Sequence, residues 1–324
     1  MTDRYREAMR ALAERLKEYY IYPEVGERLA TLLMGELSGK YDGIADPRQF
    51  ADRLTDDLYE VHRDRHVRVR FHPGEFDPAE DDSMTLTPDL LEEFRREGET
   101  TNFGFQRVER LPGNVGYIDI RTLMPAEVAG ETAAAAFNFV SHTNALILDL
   151  RQNGGGVPSM VSLICGYLFC PAVHLDSMYW RKGERIEQTW SLPYVPGRHY
   201  GEKPVYVLTS RRTFSGAEDL AYTLKQYRRG VIVGETTLGG ANPGKIFRLT
   251  EDFVSFIPMG RAIHPITGTN WEGVGVEPDV AVDAEHALTC AYERALQYIA
   301  SLPSLPDLLQ DEVAEKLSEI QNEK

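Results

Sequence analysis

A serine between a strand-like run and an amphipathic helix is the first residue of this chain that could do chemistry. In TSRRTFSGAEDLAY, Ser215 stands three positions before Glu218, the spacing of a capping box that satisfies free amides of a first helical turn. The same position suits a nucleophile, because the amide of Gly216 and the helix dipole would stabilise a developing negative charge. The G-x-S-x-G elbow of α/β-hydrolases is not matched, since Thr213 replaces its first glycine. Both interpretations stay open on this segment.

Two further segments carry groups that a plain loop does not need. In LILDLRQNGGG, a run of glycines that includes Gly155 follows a buried strand, and such a run can offer backbone amides to an anion or oxyanion. A tight strand-to-helix turn is the alternative, and a phosphate loop is disfavoured because no lysine follows the glycines. In RDRHVRV, His66 lies between a helical region and the first strand, where it could be a general base or a structural histidine.

The elements that must position these residues follow from the period of the apolar side chains. Amphipathic helical patterns occupy residues 4–62, and HVRVRFHP alternates like a half-buried strand. Beyond an acidic stretch with a short helix at 88–96, strands and helices alternate. The strands ALILDL and PVYVL are continuously apolar, which predicts a largely parallel sheet buried on both faces. The predicted domains are 1–73 (helical), 74–101 (linking segment), 102–302 (α/β core) and 303–324 (C-terminal helix).

Composition excludes several classes of partner. The 324 residues include 50 acidic and 35 basic side chains, which gives a formal net charge of −15. Nucleic acids and anionic membranes bind basic surfaces, so the sequence disfavours both as partners. The sequence has neither a run of roughly 20 apolar residues nor a signal-peptide core, so a cytoplasmic protein is expected. The three cysteines, Cys165, Cys170 and Cys290, have no ligand-like spacing and are expected to be buried free thiols.

Four motifs in a fixed order resemble one family. LILDLRQNGGG, TSRRTFSGAEDLAY, VIVGETTLGG and WEGVGVEPDV are similar to segments of the S41 serine peptidases, which include C-terminal processing proteases, the tricorn core and the modules of interphotoreceptor retinoid-binding protein. The resemblance covers residues 102–282 and, more loosely, His66 and the helices before it. It implies an α/β fold with a ββα-spiral core related to crotonase and Clp protease, behind an N-terminal helical bundle domain.

Departures from the processing proteases point to the tricorn-like branch. Only about forty residues separate His72 from Pro112, too few for the PDZ domain of those enzymes. Gly240 stands where their Ser–Lys dyad has its lysine. Lys225 would lie roughly 15 Å along the helix from the serine, which leaves Lys245 as the only rival.

The tricorn-like branch pairs its serine with an upstream histidine and a downstream glutamate. The resemblance therefore implies that Ser215 attacks, that His66 takes its proton and passes it to the leaving amine, and that Glu272 orients the site or stabilises its charge. The amides of Gly216 and Gly155 would hold the oxyanion. In this chain Arg65 replaces the serine that precedes the tricorn histidine.

A different role for Glu272 is a loop salt bridge, for which Arg151 is one candidate partner. For the whole protein, the resemblance implies a serine-type peptidase that hydrolyses peptide or protein substrates without metal or cofactor. The alternative is a non-catalytic module of the same fold that binds hydrophobic, retinoid-like or lipid-like ligands. The presence of Ser215, His66 and Glu272 together favours the enzyme. Acyl-CoA chemistry of the crotonase type is less favoured, because those enzymes do not use a serine at the head of a helix. The natural substrate and the oligomeric state stay open, a homo-oligomer included.

Overall fold

The computed structural model describes residues 3–35, 39–74 and 86–322, which form nine α-helices and twelve β-strands. The helices are α1 (Asp3–Tyr19), α2 (Pro23–Met34), α3 (Pro47–Val61), α4 (Pro88–Thr101), α5 (Ala126–Val140), α6 (Pro158–Leu168), α7 (Gly216–Gln226), α8 (Ala287–Ala300) and α9 (Asp307–Asn322). The strands are β1 (Arg68–Phe71), β2 (Phe105–Leu111), β3 (Val115–Ile120), β4 (Ala145–Asp149), β5 (His174–Trp180), β6 (Arg185–Trp190), β7 (Val205–Thr209), β8 (Val231–Gly234), β9 (Gly244–Arg248), β10 (Phe253–Pro258), β11 (Gly260–Ile263) and β12 (Val280–Ala281).

The chain folds into two compact units, each assembled from separate stretches of sequence. Unit 1 comprises Met1–Thr85, Ser177–Glu187 and Gly240–Ile263, and unit 2 comprises Leu86–Asp176, Gln188–Gly239 and His264–Lys324. Two stretches that the sequence analysis assigns to the core, 177–187 and 240–263, thus belong to unit 1. The reason is strand pairing: β10 lies between β1 and β9 in an antiparallel sheet, and residues 177–180 of β5 pair with β11.

The helices of unit 1 follow the predicted amphipathic pattern. Asp46 caps α3 by accepting the amide of Arg48, and Pro47 opens the helix, as the sequence indicates. The α1 stripe is buried and packs against α2 and β10, while α3 packs against β1. The helices therefore share their core with strands, and β1 holds the turn that carries His66.

Unit 2 is built on a six-stranded sheet of order β12-β8-β7-β4-β3-β2, antiparallel between β2 and β3 and parallel elsewhere. Every residue of β4 and β7 is buried, as continuously apolar strands require. Because β4, β7 and β8 run in the same direction, the loops that follow them emerge at one edge of the sheet, where ligands of open α/β sheets bind. The predicted mixed α/β class with a largely parallel sheet is confirmed.

Helices cover both faces of this sheet. The helices α8 and α9 pack through Ala291, Leu296 and Val313 against Ile147 and Leu208, so the predicted C-terminal helix is part of unit 2. On the other side α5, α6 and α7 form a continuous layer.

Some features differ from the sequence-based predictions or lie beyond them. Of the linking segment, residues 75–85 lie outside the described residues, and its helix α4 extends to Thr101. The three cysteines are free thiols, but only Cys165 is buried; Cys170 is exposed because it follows the end of α6, and Cys290 is half-buried. Among the described helices, none has the length and apolar character of a membrane span.

Phe50 tests the aromatic core of unit 1. It is fully buried, stacks on Tyr5 at 4.0 Å between ring centroids and meets Phe253 edge-on at 5.4 Å. Phe50→Ala should lower the free energy of unfolding by about 3–5 kcal/mol, because it leaves a cavity. The matched control is Phe139→Ala, whose side chain is 61% exposed and should change stability by less than about 0.5 kcal/mol. Urea denaturation of both variants measures these changes. Equal losses in the free energy of unfolding would contradict the assignment of Phe50 to the core.

Candidate active site

Ser215 occupies a strained turn between β7 and α7. Its backbone has φ 52° and ψ −122°, whereas an ordinary N-cap residue is extended. Such a conformation costs roughly 1–3 kcal/mol for a residue with a side chain and clusters at functional sites. A sharp strand-to-helix turn also presents the serine of α/β-hydrolases, although this sequence lacks their glycine. Here Thr213 stabilises the turn: its hydroxyl donates to Leu150 O at 2.8 Å and accepts the amide of Ser210 at 3.0 Å.

The head of α7 offers backbone amides beside the serine. The Ser215 amide donates to the carboxylate of Glu218 at 2.8 Å, which is the glutamate half of the predicted capping box. Gly216 is the first residue of the helix, and the first-turn amides of a helix have no acceptor within it. Its amide can therefore donate to an anion that forms at Ser215.

The glycine run packs directly on the serine turn. Gly155 has φ +104°, and a Cβ built there would lie 2.8 Å from both Phe214 O and Ser215 Cβ. Only glycine fits this contact, and Gly155, Ser215 and Gly216 lie together within unit 2.

The donor within the glycine run differs from the expectation. The Gly155 amide donates to Asn153 Oδ1 at 2.8 Å, so its hydrogen is engaged. The neighbouring Gly156 lies against Gly216, since a Cβ on Gly216 would be 3.2 Å from Gly156 N. Within the described ranges, no protein acceptor takes the Gly156 amide hydrogen. The backbone amide of Gly156 is therefore better suited than that of Gly155 to donate a hydrogen bond to an anion beside Ser215.

Asn153 is a positioning residue that the sequence analysis missed. It is fully buried, donates through Nδ2 to Ile120 O at 3.0 Å, and its carbonyl accepts the Phe214 amide at 3.1 Å. With its bond to Gly155, it ties the glycine run to β3 and to the serine turn. The sequence carried a signal for this bond, because the side-chain oxygen of an asparagine in a turn commonly accepts a hydrogen bond from the backbone amide two residues later.

Glu272 lies in unit 2 on a loop that is bonded to the loop after β8. The Glu272 amide donates to Asn270 Oδ1 at 3.0 Å, and the Gly273 amide donates to Gly239 O at 3.2 Å. The alternative salt bridge with Arg151 is wrong. That guanidinium pairs with Asp149 at 2.6 Å instead, two residues away on the same strand end.

His66 lies in unit 1, in the turn between α3 and β1. Its amide donates to Asp64 Oδ1 at 2.9 Å, and its ring packs at 5.4 Å from that of Phe256. Asp64 is itself buried and accepts the Tyr20 hydroxyl at 2.8 Å. The distance from His66 Nδ1 to Asp64 Oδ1 is 3.8 Å, so the carboxylate acts on the ring through its charge. Asp64 was not predicted, although the D-x-H spacing could have suggested its bond to the His66 amide.

Burial controls the protonation of His66. It lowers the pKa of the imidazole to about 4; Asp64 opposes this shift and Arg68 adds to it. The ring is therefore neutral at pH 7, which is the form that can accept a proton.

Each of the two lysines considered in the sequence has contacts within its own unit. The Lys225 ammonium donates to Glu277 O and lies 3.3 Å from Asp279 Oδ1. Lys245 is in β9 of unit 1, with its ammonium 5.2 Å from the centre of the Phe247 ring.

One surface cluster in unit 2 has the composition of a metal site. Asp283, Glu285 and His286 each offer a ligand atom, and these atoms lie within 4.8 Å of one another. All three side chains are exposed, and exposed acidic groups commonly lie together without an ion. The cluster takes no part in the chemistry considered below.

Comparison with known families decides the class of protein. Residues 114–282, more than half of the chain, match the family model for peptidase family S41. The chain belongs to peptidase family S41. Residues 2–102 match the model described as the N-terminal domain of Peptidase_S41 in eukaryotic IRBP. The family predicted from the four motifs is thus confirmed.

The S41 chain is similar to processing peptidases over part of their length. The chloroplastic C-terminal processing peptidase of Tetradesmus obliquus is 29% identical over 181 residues, which cover 53% of this chain and 36% of the relative. The chain spans 36–40% of the length of three such relatives.

Solved structures share the fold. A protein of Parabacteroides merdae has a TM-score of 0.62 at 17% identity, over 93% of this chain and 99% of that one. The photosystem II D1 C-terminal processing protease has a TM-score of 0.51 at 18% identity, over 88% and 94% of the two chains. At these identities the likeness concerns the fold.

The pKa of His66 can be measured directly. Imidazole NMR of the native protein should give a titration midpoint near 4, because burial disfavours the imidazolium. Since the ordinary histidine pKa is about 6.5, the unfolded chain binds more protons between these two values. Stability should therefore fall as the pH drops through that window. In His66→Gln, the melting temperature should fall less than that of the native protein as the pH drops through this window. A midpoint near 6.5 would contradict the buried, neutral imidazole.

Proposed function

We propose that this S41 protein is a serine peptidase that hydrolyses peptide bonds in peptide or protein substrates. Ser215 is the nucleophile, His66 the general base, and Glu272 the residue that orients the site or stabilises its charge. The observation that carries the proposal is the strained turn at Ser215, which lies against a glycine run and precedes the open amides of a helix.

The first step is the attack on the substrate carbonyl. Neutral His66 takes the hydroxyl proton of Ser215 while Oγ bonds to the carbonyl carbon, and the carbonyl oxygen becomes an oxyanion. This requires His66 Nε2 to come within about 2.6–3.2 Å of Ser215 Oγ. The oxyanion accepts hydrogen bonds from the amides of Gly216 and Gly156, the latter replacing the Gly155 of the sequence prediction. Such a donor is typically worth about 10²–10³ in kcat.

The second step releases the products. The imidazolium of His66 gives its proton to the leaving amine as the carbon–nitrogen bond breaks, which leaves an acyl group on Ser215. Water then attacks this ester, with His66 again taking a proton, and Ser215 is restored. The charge of Asp64, 3.8 Å from Nδ1, favours the imidazolium in both half-reactions.

The proposed reaction also determines the partners of the protein. Peptide or protein substrates follow from the reaction, and no cofactor is needed for it. Specificity for chain termini is not proposed, because the sequence leaves no room for a PDZ domain between His72 and Pro112. A cytoplasmic location stays an expectation from the sequence.

The second candidate function is a hydrophobic-ligand-binding module. It is favoured by the match of residues 2–102 to the N-terminal domain found in eukaryotic IRBP. The peptidase is preferred because a strained serine turn with open helix amides beside it suits a nucleophile better than a plain helix cap.

Cleavage of a diverse peptide library, read by mass spectrometry, separates these functions. The native protein should cleave, and Ser215→Ala and His66→Ala should each lose at least about 10³-fold in rate. The matched controls Ser301→Ala and His286→Ala, at exposed positions, should cleave like the native protein. Cleavage that survives Ser215→Ala would contradict the nucleophile. Failure of every protein to cleave would favour the binding module.

A further inference from the structure

A buried carboxylate lies next to Ser215 and has no step in the proposed reaction. Glu218 is fully buried in the first turn of α7. Its Oε2 accepts the Ser215 amide at 2.8 Å, while Oε1 accepts the Gly239 amide at 2.7 Å and the Thr237 hydroxyl at 2.5 Å. A buried carboxylate is tolerated only when such donors replace its water. A capping box needs only the first of these bonds.

Thr237 extends this network to the glutamate loop. Its hydroxyl donates to Glu218 and accepts the Val276 amide at 2.7 Å, and its own amide donates to Val276 O at 3.3 Å. Gly239 O accepts the amide of Gly273, the residue after Glu272. The loop 237–239 is therefore bonded both to the serine turn and to the loop 270–276.

The network also supports the strained backbone of Ser215. A residue with φ 52° keeps that conformation only where several bonds hold it. The Ser215 amide is held by Glu218, and the neighbouring carbonyl of Thr213 accepts the Leu238 amide at 3.0 Å. Both bonds tie the turn to the same three-residue loop.

We infer that Glu218 is a positioning residue of the peptidase site. Its carboxylate joins the turn that carries Ser215 to the loop that carries Glu272, with Thr237 as the link between them. The inference rests on the proposed function for its catalytic consequence, whereas the linkage itself is a property of unit 2.

Two variants weaken the network at different bonds. Glu218→Gln keeps the size of the side chain, but its amide nitrogen cannot accept a hydrogen bond, so at least one donor among Ser215, Thr237 and Gly239 loses its acceptor. Thr237→Val removes the hydroxyl but leaves the hydrogen bonds from the Ser215 and Gly239 amides to the Glu218 carboxylate in place. This variant therefore still tests the inference if Glu218→Gln does not fold. Thr237→Ser restores the hydroxyl. The matched control is Thr236→Val, the same substitution at the exposed neighbour.

Peptide cleavage kinetics supply the first measurement. Glu218→Gln and Thr237→Val should lower kcat by about 10- to 100-fold, because a small displacement of reacting groups costs that much. KM should change by less than about twofold, since the contacts with substrate are retained. Thr237→Ser should recover most of kcat, and Thr236→Val should match the native protein. Native kcat in both Glu218→Gln and Thr237→Val, or a loss confined to KM, would overturn the inference.

Hydrogen exchange supplies a measurement that does not depend on catalysis. In Glu218→Gln, the amides of residues 237–239 and 270–276 should exchange faster along with that of Ser215, while those of α8 keep their native rates. Faster exchange confined to the first turn of α7 would overturn the inference. If the native protein cleaves no peptide, the proposed function fails, and this exchange pattern still decides whether Glu218 links the two loops.

Discussion

The contact between the glycine run and the serine turn is the constraint on which the rest of unit 2 depends. There is no room for a Cβ at Gly155 between the two loops, and Ser215 holds a positive φ at the point of contact. Asn153 holds one side and Thr213 the other, each through bonds to a strand end. The strain at Ser215 is therefore balanced by the hydrogen bonds of the residues around it.

The parallel sheet makes this contact possible. Strands β4, β7 and β8 run side by side in the same direction, so the glycine run, the serine turn and the loop 237–239 all start at the same edge. Buried apolar residues cover both faces of these strands, and α8 and α9 complete one of them. In unit 1, burial lowers the pKa of His66 and keeps its ring neutral, while the charge of Asp64 opposes that shift.

Local patterns predicted much of this fold, and long-range pairing accounts for what they missed. The apolar stripe of α1, the cap of α3 and the buried strand β4 depend on neighbours in sequence, and each was predicted correctly. The pairing of β1 with β10 joins residues that are far apart in sequence, and nothing in either strand specifies the other. This pairing and that of β5 with β11 place two segments of the predicted core, 177–187 and 240–263, in unit 1.

For the candidate site, the sequence indicated which residues lie together but not every hydrogen bond between them. The types of Ser215, Gly155 and Gly216 and their order along the chain indicated a common site, and unit 2 brings these three together. The bond that engages the Gly155 amide was signalled by the position of Asn153 two residues before it, but the motif resemblance pointed to Gly155 as a free donor. The partner of Arg151 depends on the end of β4 and was not predicted. Labelling with a fluorophosphonate, followed by intact-protein and peptide mass spectrometry, tests the central claim most directly. We expect a single phosphonyl group on Ser215, with a rate that falls in His66→Ala. Equal labelling of His66→Ala, or labelling at another residue, would contradict the account.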